Sequence, residues 1–220
     1  MVVPRQELLA MLALKSFRLG EFKLSSGGSS DYYIDCRATT LDAEGARLTA
    51  RTFVDELYRR GWTPQGIGGM TLGADPIAVS VAMLTAQQVQ SRRPGREPSD
   101  GLGAWLVHAF IVRKGEKGHG TGQRIEGFRE KGARVVIVDD VCTTGASTVQ
   151  AIEAAREFGF DVIGVMCLVE REEAGGRANV EKAAAPAPFV SIFTAAEVRE
   201  EHLRLKQVRE EGGSARQETS

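Results

Sequence analysis

The chain has 220 residues, 42% hydrophobic and 26% charged, with a formal net charge of −1. That suits one well-buried globular domain with short additions, or at most two small ones. Near-neutral charge gives no broad basic field for nucleic acid or an anionic membrane, no apolar run approaches spanning length, and the N-terminus lacks a signal peptide's apolar core and cleavage site.

In chain order, Gln6 to Phe17 is dense enough in Leu and Met for a packed N-terminal helix. Phe22 to Cys36, punctuated by Ser and Gly, predicts short strands or a hairpin around Tyr32, Tyr33 and Ile34. Asp42 caps a helix to about Arg60, stopped by Gly61. Gly66 to Met70 reads as a strand, and Asp75 to Gln90 as a helix with Pro76 in its first turn. The polar stretch Ser91 to Gly103 is an exposed connection, followed by a strand over Trp105 to Val112 and a glycine-rich loop over Arg113 to Arg124. Strands at Val135 to Val138 and Asp161 to Val169 flank a helix over Ser147 to Phe158. Glu172 to Pro188 reads as irregular and Phe189 to Phe193 as a short last strand. Thr194-Ala-Ala-Glu197 is a capping box for a charged terminal helix, with a disordered tail after Gly212. Strands alternating with helices predict an α/β domain with a mostly parallel sheet. Cys36, Cys142 and Cys167 are odd in number and widely spaced, which suits reduced thiols in a cytoplasm.

The most informative string is Val135-Val-Ile-Val-Asp139-Asp140-Val141-Cys142-Thr143-Thr144-Gly145-Ala146-Ser147. A buried strand ends in two acids, then a small-residue turn opens a helix whose N–H groups and dipole suit a phosphate. Asp139 and Asp140 would repel that phosphate unless the ligand also carries hydroxyls or a cation, as a sugar phosphate with Mg²⁺ does. Asp-Asp after a strand also serves as a turn former or cap, and Cys142 reads as a small apolar filler.

The whole string resembles the binding signature of the type I phosphoribosyltransferases for 5-phosphoribosyl 1-diphosphate (PRPP). The resemblance implies that Asp139 and Asp140 hold the ribose hydroxyls. It also implies a 5-phosphate loop over Thr143, Thr144, Gly145, Ala146 and Ser147, flanked by Val141 and Cys142.

A second constellation follows the Trp105 strand. Arg113-Lys114-Gly-Glu-Lys117-Gly-His119-Gly packs cations and glycines together, as a solvated surface loop would, but also as a segment ordered by a polyanion would. This loop resembles the mobile catalytic loop of the orotate phosphoribosyltransferases. Gly69-Met-Thr71-Leu72-Gly-Ala-Asp-Pro resembles that family's pyrophosphate loop, with a cis peptide expected at Thr71–Leu72. Phe22 to Asp35 resembles its N-terminal segment, and the likeness runs from about Gln6 to Val198. One departure stands out: relatives often carry a Lys in the Ser-Gly turn, whereas Ser25 to Ser29 has no cation, leaving Lys23 to reach in or the contact absent.

The resemblance implies a type I phosphoribosyltransferase fold in a single domain over 1–198, with N-terminal and hood elements at about 1–40 and 170–198. It implies Mg²⁺-dependent transfer of phosphoribose from PRPP to orotate, giving orotidine 5′-monophosphate and pyrophosphate in UMP biosynthesis. Arg113, Lys114, Lys117 and His119 would close over the diphosphate, with His119 a general acid or a hydrogen-bond donor. Thr143, Arg171 and Tyr33 would take orotate; otherwise Arg171 is a surface ion pair and Tyr33 packs in the core. Mg²⁺ would arrive on PRPP rather than in a protein cage, with Asp139 or Asp140 touching it. A homodimer sharing the mobile loop across subunits is implied. The alternatives are a phosphoribosyltransferase for another base and a PRPP-binding regulator.

Overall fold

The computed structural model describes residues 4–23, 29–91, 105–115 and 124–217, with side chains to 211. Two sheets form: a hairpin of β1 (Phe17–Lys23) with β2 (Ser29–Ile34), and a six-stranded sheet. In the large sheet the order is β5 (Ile125–Gly127), β4 (His108–Val112), β3 (Gly66–Met70), β6 (Arg134–Cys142), β7 (Asp161–Glu170), β8 (Phe189–Thr194). All neighbours are parallel except the β4–β5 pair.

The helices cover both faces. On one face α1 (Pro4–Met11), α3 (Ala43–Arg59) and α4 (Asp75–Gln90) bury Leu8, Phe53, Leu57 and Ile77 with Val136 and Val138 of β6. On the other face α5 (Ala146–Phe158) and α6 (Gly176–Ala184) bury Ile152, Ala155 and Val180 with Val135 and Ile137. Such two-sided burial explains why β6 reads as an unbroken apolar run rather than an alternating one. Ile152, with no exposed surface, contributes on the order of 1.5–3 kcal/mol by leaving water.

The chain path also places the crevice. From β3 the chain passes through α4 to β4 on one side; from β6 it passes through α5 to β7 on the other. β3 and β6 are adjacent, so the connections diverge between them, and ligands of open α/β sheets bind beyond the strand ends at such a switch point.

Asp42 caps α3 by accepting from the N–H groups of Glu44 and Gly45 at 3.0 Å each. The capping box is reciprocal: Thr194 N–H donates to Glu197 Oε2 at 2.8 Å, and Glu197 N–H to Thr194 Oγ1 at 3.1 Å. Five elements differ from the sequence expectation. The N-terminal helix gives way at Leu12 to a π-helical turn ending at Ser16, so β1 starts at Phe17. The strand expected from Trp105 begins at His108. β5 adds a short antiparallel edge. Glu172 to Pro188, read as irregular, contains α6, and α7 (Ala195–Gln217) continues five residues past Gly212. The connection at Ser91 to Gly103 lies almost wholly outside the described residues. No helix among the described residues is long and apolar enough to cross a membrane.

Candidate active site

β6 does not stop before the acids. It runs through Asp139, Asp140 and Val141 to Cys142, paired with β7, so the sheet itself fixes both carboxylates. Asp139 is 5% exposed. Its Oδ2 accepts from Thr148 Oγ1 at 2.6 Å and its Oδ1 from the Asp140 N–H at 3.0 Å. Asp140 Oδ1 accepts from the Val141 N–H at 2.9 Å. Burial raises the pKa of both acids, partly offset by these bonds.

The turn from β6 into α5 depends on two close approaches. Gly145 has φ +77°, and a Cβ there would meet Val180 Cγ2 at 2.7 Å. A Cβ on Gly176, at the start of α6, would lie 2.2 Å from the Thr143 carbonyl oxygen. α6 is therefore seated directly on the Thr143–Gly145 loop, and Asn179 Nδ2 donates to the Thr144 carbonyl at 3.0 Å.

Across the crevice lies Thr71-Leu72-Gly73. The cis peptide expected at Thr71–Leu72 is absent; among the described residues the cis bond is Ala185–Pro186. Leu72 instead has φ +75°, an unusual left-handed conformation for a branched side chain. Asp75 holds it, its Oδ2 accepting from Thr71 Oγ1 at 2.8 Å and from the Leu72 N–H at 3.0 Å. Gly73 lies against the acids: a Cβ there would meet Asp140 Oδ1 at 2.4 Å.

These walls enclose a cleft of about 490 Å³. Of the residues singled out in the sequence, Asp139, Asp140, Val141, Thr143 and Ser147 line it from β6 and the following turn. Thr71 and Leu72 line the opposite wall, and Tyr33, Lys114 and Arg171 also face it. Thr144, Gly145 and Ala146 are not among its lining residues. Cys142 is buried with its side chain in the core, and all three cysteines are free. Arg113 is not among the lining residues and pairs with Glu126 at 3.4 Å. Lys117 and His119 lie outside the described residues. Lys23 lines the cleft from the end of β1.

Arg171 is 8% exposed yet lines the cleft. Its Nε donates to Tyr32 Oη and Glu173 Oε1 at 3.0 Å each, its Nη2 to Ser30 Oγ at 3.1 Å, and its guanidinium lies 4.5 Å from the Tyr32 ring centre. Tyr32 also donates to Glu173, and burial together with that bond raises its phenol to about 12. Arg171 is thus both ion-paired and held rigidly at the cleft. Tyr33, next along β2, is exposed beside Phe22, and both line the cleft.

The sequence reading missed Thr148, the Asp35–Arg37 pair and Arg177. Thr148 had a signal: it falls one turn before Ile152 on the buried face of α5, a polar residue on an apolar stripe. Arg177 had none, because the 2%-exposed Glu170 it binds is seven residues away across an unpredicted helix. Among the described residues no cluster of three or more His, Cys, Asp or Glu could hold a metal ion.

The family model for the phosphoribosyl transferase domain matches residues 79–184. The chain is 38% identical over 201 residues to the orotate phosphoribosyltransferase of Aquifex aeolicus, covering 90% of this chain and 99% of that protein. It is 40% identical over 190 residues to that of Thermosynechococcus vestitus, covering 86% and 89%. Among solved structures, orotate phosphoribosyltransferase of Mycobacterium tuberculosis H37Rv with Fe(III) dicitrate matches at 33% identity and TM-score 0.69, covering 89% of this chain and 99% of that one. The same enzyme in complex with PRPP matches at 30% identity and TM-score 0.66, covering 89% and 99%. With such identity across nearly its whole length, the chain belongs to the orotate phosphoribosyltransferase family.

Proposed function

We propose that this protein transfers the 5-phosphoribosyl group of PRPP to orotate, releasing pyrophosphate and orotidine 5′-monophosphate for UMP synthesis. The observation that carries the reading is the meeting, in one cleft, of a buried acid pair, Thr143 and Ser147 at the two ends of the turn into α5, and the Thr71–Gly73 loop. Asp140 is the acid with capacity to spare. Both Asp139 oxygens already accept bonds, from Thr148 and the Asp140 N–H, whereas Asp140 takes the Val141 N–H through Oδ1 and can receive a ribose hydroxyl at Oδ2. Thr143, Ser147 and the N–H groups opening α5 receive the 5-phosphate. Breaking the C1–oxygen bond builds positive charge on the ribose ring. Nearby carboxylates stabilise that charge, while Lys114, Arg113, Lys117 and His119 stabilise the departing diphosphate, each well-placed contact lowering the barrier by roughly 2–4 kcal/mol. Arg171, fixed by Ser30, Tyr32 and Glu173, presents a planar cation to the orotate carboxylate, with Thr143 and Tyr33 beside it.

The residues fit a Mg²⁺ that travels with the donor. Among the described lining residues Asp140 Oδ2 is the carboxylate oxygen left for a cation, and Mg²⁺ readily completes its shell with water and phosphate oxygens. When bound it supplies charge neutralisation at the diphosphate. We further propose a cytoplasmic homodimer in which the 113–124 loop serves the neighbouring site. Purified protein with Mg²⁺ and PRPP should consume orotate, seen as loss of its ultraviolet absorbance, and ignore uracil, adenine and hypoxanthine. Turnover of hypoxanthine alone, or of no base, would replace this reading with a purine enzyme or a non-catalytic PRPP-binding protein.

A further inference from the structure

Two cations lining the cleft, Lys23 and Arg37, have no part in the mechanism above, and Arg37 is the one held by a bidentate ion pair. Arg37 opens the short helix α2 (Arg37–Thr40), just beyond β2. Its Nε donates to Asp35 Oδ1 at 2.8 Å and its Nη2 to Asp35 Oδ2 at 2.9 Å. The Arg37 N–H adds a third bond to Asp35 Oδ1 at 3.1 Å. Both residues line the cleft, with side chains 47% and 32% exposed. A half-exposed ion pair contributes little to stability. This one instead fixes a guanidinium at a ligand-sized opening, its Nη1 donors without a hydrogen-bond partner among the described residues.

Its position selects what it would meet. α2 packs against α4, the helix that starts directly after Thr71-Leu72-Gly73. Gly73 in turn lies against Asp140, whose pKa is raised by burial with a partial offset from the positive charge of Arg37, so the two are within electrostatic reach. The Arg171 guanidinium, fixed by Ser30, Tyr32 and Glu173 at the β2 wall, is the one assigned to orotate above. Arg37 keeps its Nη1 donors unused in the cleft that the Thr71–Gly73 loop also lines. A planar guanidinium held along one edge presents the other in fixed geometry, which suits paired phosphate oxygens better than a Lys would.

We infer that Arg37 is a diphosphate-binding residue and Asp35 its positioning residue, the clamp aiming the free guanidinium edge at the leaving group of the donor. This rests on the phosphoribosyl-transfer reading above and adds a cation from outside the 113–124 loop. Because Asp35 offsets much of the charge, the contribution of Arg37 is directional hydrogen bonding, so Lys at this position should not replace it.

The test is calorimetric titration of Mg²⁺ plus inorganic pyrophosphate, and separately of PRPP, into wild type, Arg37→Gln, Arg37→Lys and Asp35→Asn. Steady-state KM values for PRPP and orotate accompany it, and thermal melting confirms that each variant is folded. Arg37→Gln and Arg37→Lys should each weaken pyrophosphate and PRPP binding by about 10- to 100-fold. Asp35→Asn should give a smaller loss, and KM for orotate should stay unchanged. Wild-type pyrophosphate affinity in folded Arg37→Gln overturns the inference, as does a change confined to KM for orotate. A wild type that binds pyrophosphate without converting orotate overturns the transfer reading instead, since the titration does not depend on turnover.

Discussion

Thr148 Oγ1 donates a 2.6 Å hydrogen bond to Asp139 Oδ2 from the first turn of α5, tying the helix to the end of the strand that precedes it. Both groups are buried, at 1% and 5% exposure. The hydroxyl therefore gives a desolvated carboxylate a donor that water cannot supply.

Removing that donor should cost stability and donor affinity together. Thr148→Val keeps the volume and leaves Asp139 Oδ2 unsatisfied, a penalty of about 1–3 kcal/mol. Urea unfolding should register it, KM for PRPP should rise, and Thr148→Ser should restore both. A Val variant as stable as wild type would mean that the bond contributes nothing.

The same burial sets a pH dependence. Asp139 and Asp140 are raised chiefly by desolvation. As pH climbs above the unfolded carboxylate value of about 4, the unfolded chain ionises first and binds fewer protons than the folded one, so the pair lowers stability. The loss grows until pH passes the raised folded values and is constant beyond them. Asp139→Asn removes one acid while an amide oxygen can still accept from Thr148. Its stability relative to ligand-free wild type should therefore rise from about pH 4 to about pH 8, measured by urea unfolding at several pH values. A difference that is flat with pH, or that falls, would show that the pair ionises as freely folded as unfolded.

Behind the site, Arg177 from α6 holds the nearly buried Glu170 through Nε at 2.9 Å and a second bond from Nη2, which also donates to Ser191 Oγ at 3.1 Å. Arg177→Met strands that carboxylate. Breaking buried pairs costs 3–5 kcal/mol, but Arg177 is itself partly exposed, so about 2–3 kcal/mol is expected. Adding Glu170→Gln should recover much of it. If the double variant is no more stable than the single, the cost comes from packing of α6 on the Thr143–Gly145 loop rather than from charge.

What could be read from the sequence was local. β3 and α4 fall at their expected residues, because a short apolar run and a Pro in a helix's first turn are signals within a few residues. The acid pair and its turn were visible as a string for the same reason. α6 was not, since its buried face of Gly176, Val180 and Ala184 is mostly small and resembles an Ala-rich loop. The strand boundary at Asp139 was misplaced because acids rarely continue a buried strand; here Thr148 and neighbouring N–H groups make it possible. Arg37, Arg171 and Arg177 gain their meaning from the cleft they face or from distant partners, which spacing along the chain does not encode.

The proposed sharing of the 113–124 loop between subunits predicts a result at the level of the assembly. If Lys117 acts in the neighbouring subunit's site, a dimer of one Lys117→Ala chain and one Asp140→Asn chain collects both defects in one site and leaves the other intact. Random exchange makes half of the dimers mixed, so two nearly inactive preparations should together recover about a quarter of wild-type activity. The recovery should require subunit exchange: mild denaturant followed by its removal should speed it, and covalent cross-linking of each parent beforehand should abolish it. Were each loop to serve its own subunit, every site in the mixture would keep one defect and activity would stay at the parental level. Either result places Lys117 relative to the Asp140 cleft, because complementation depends only on which chain supplies the loop.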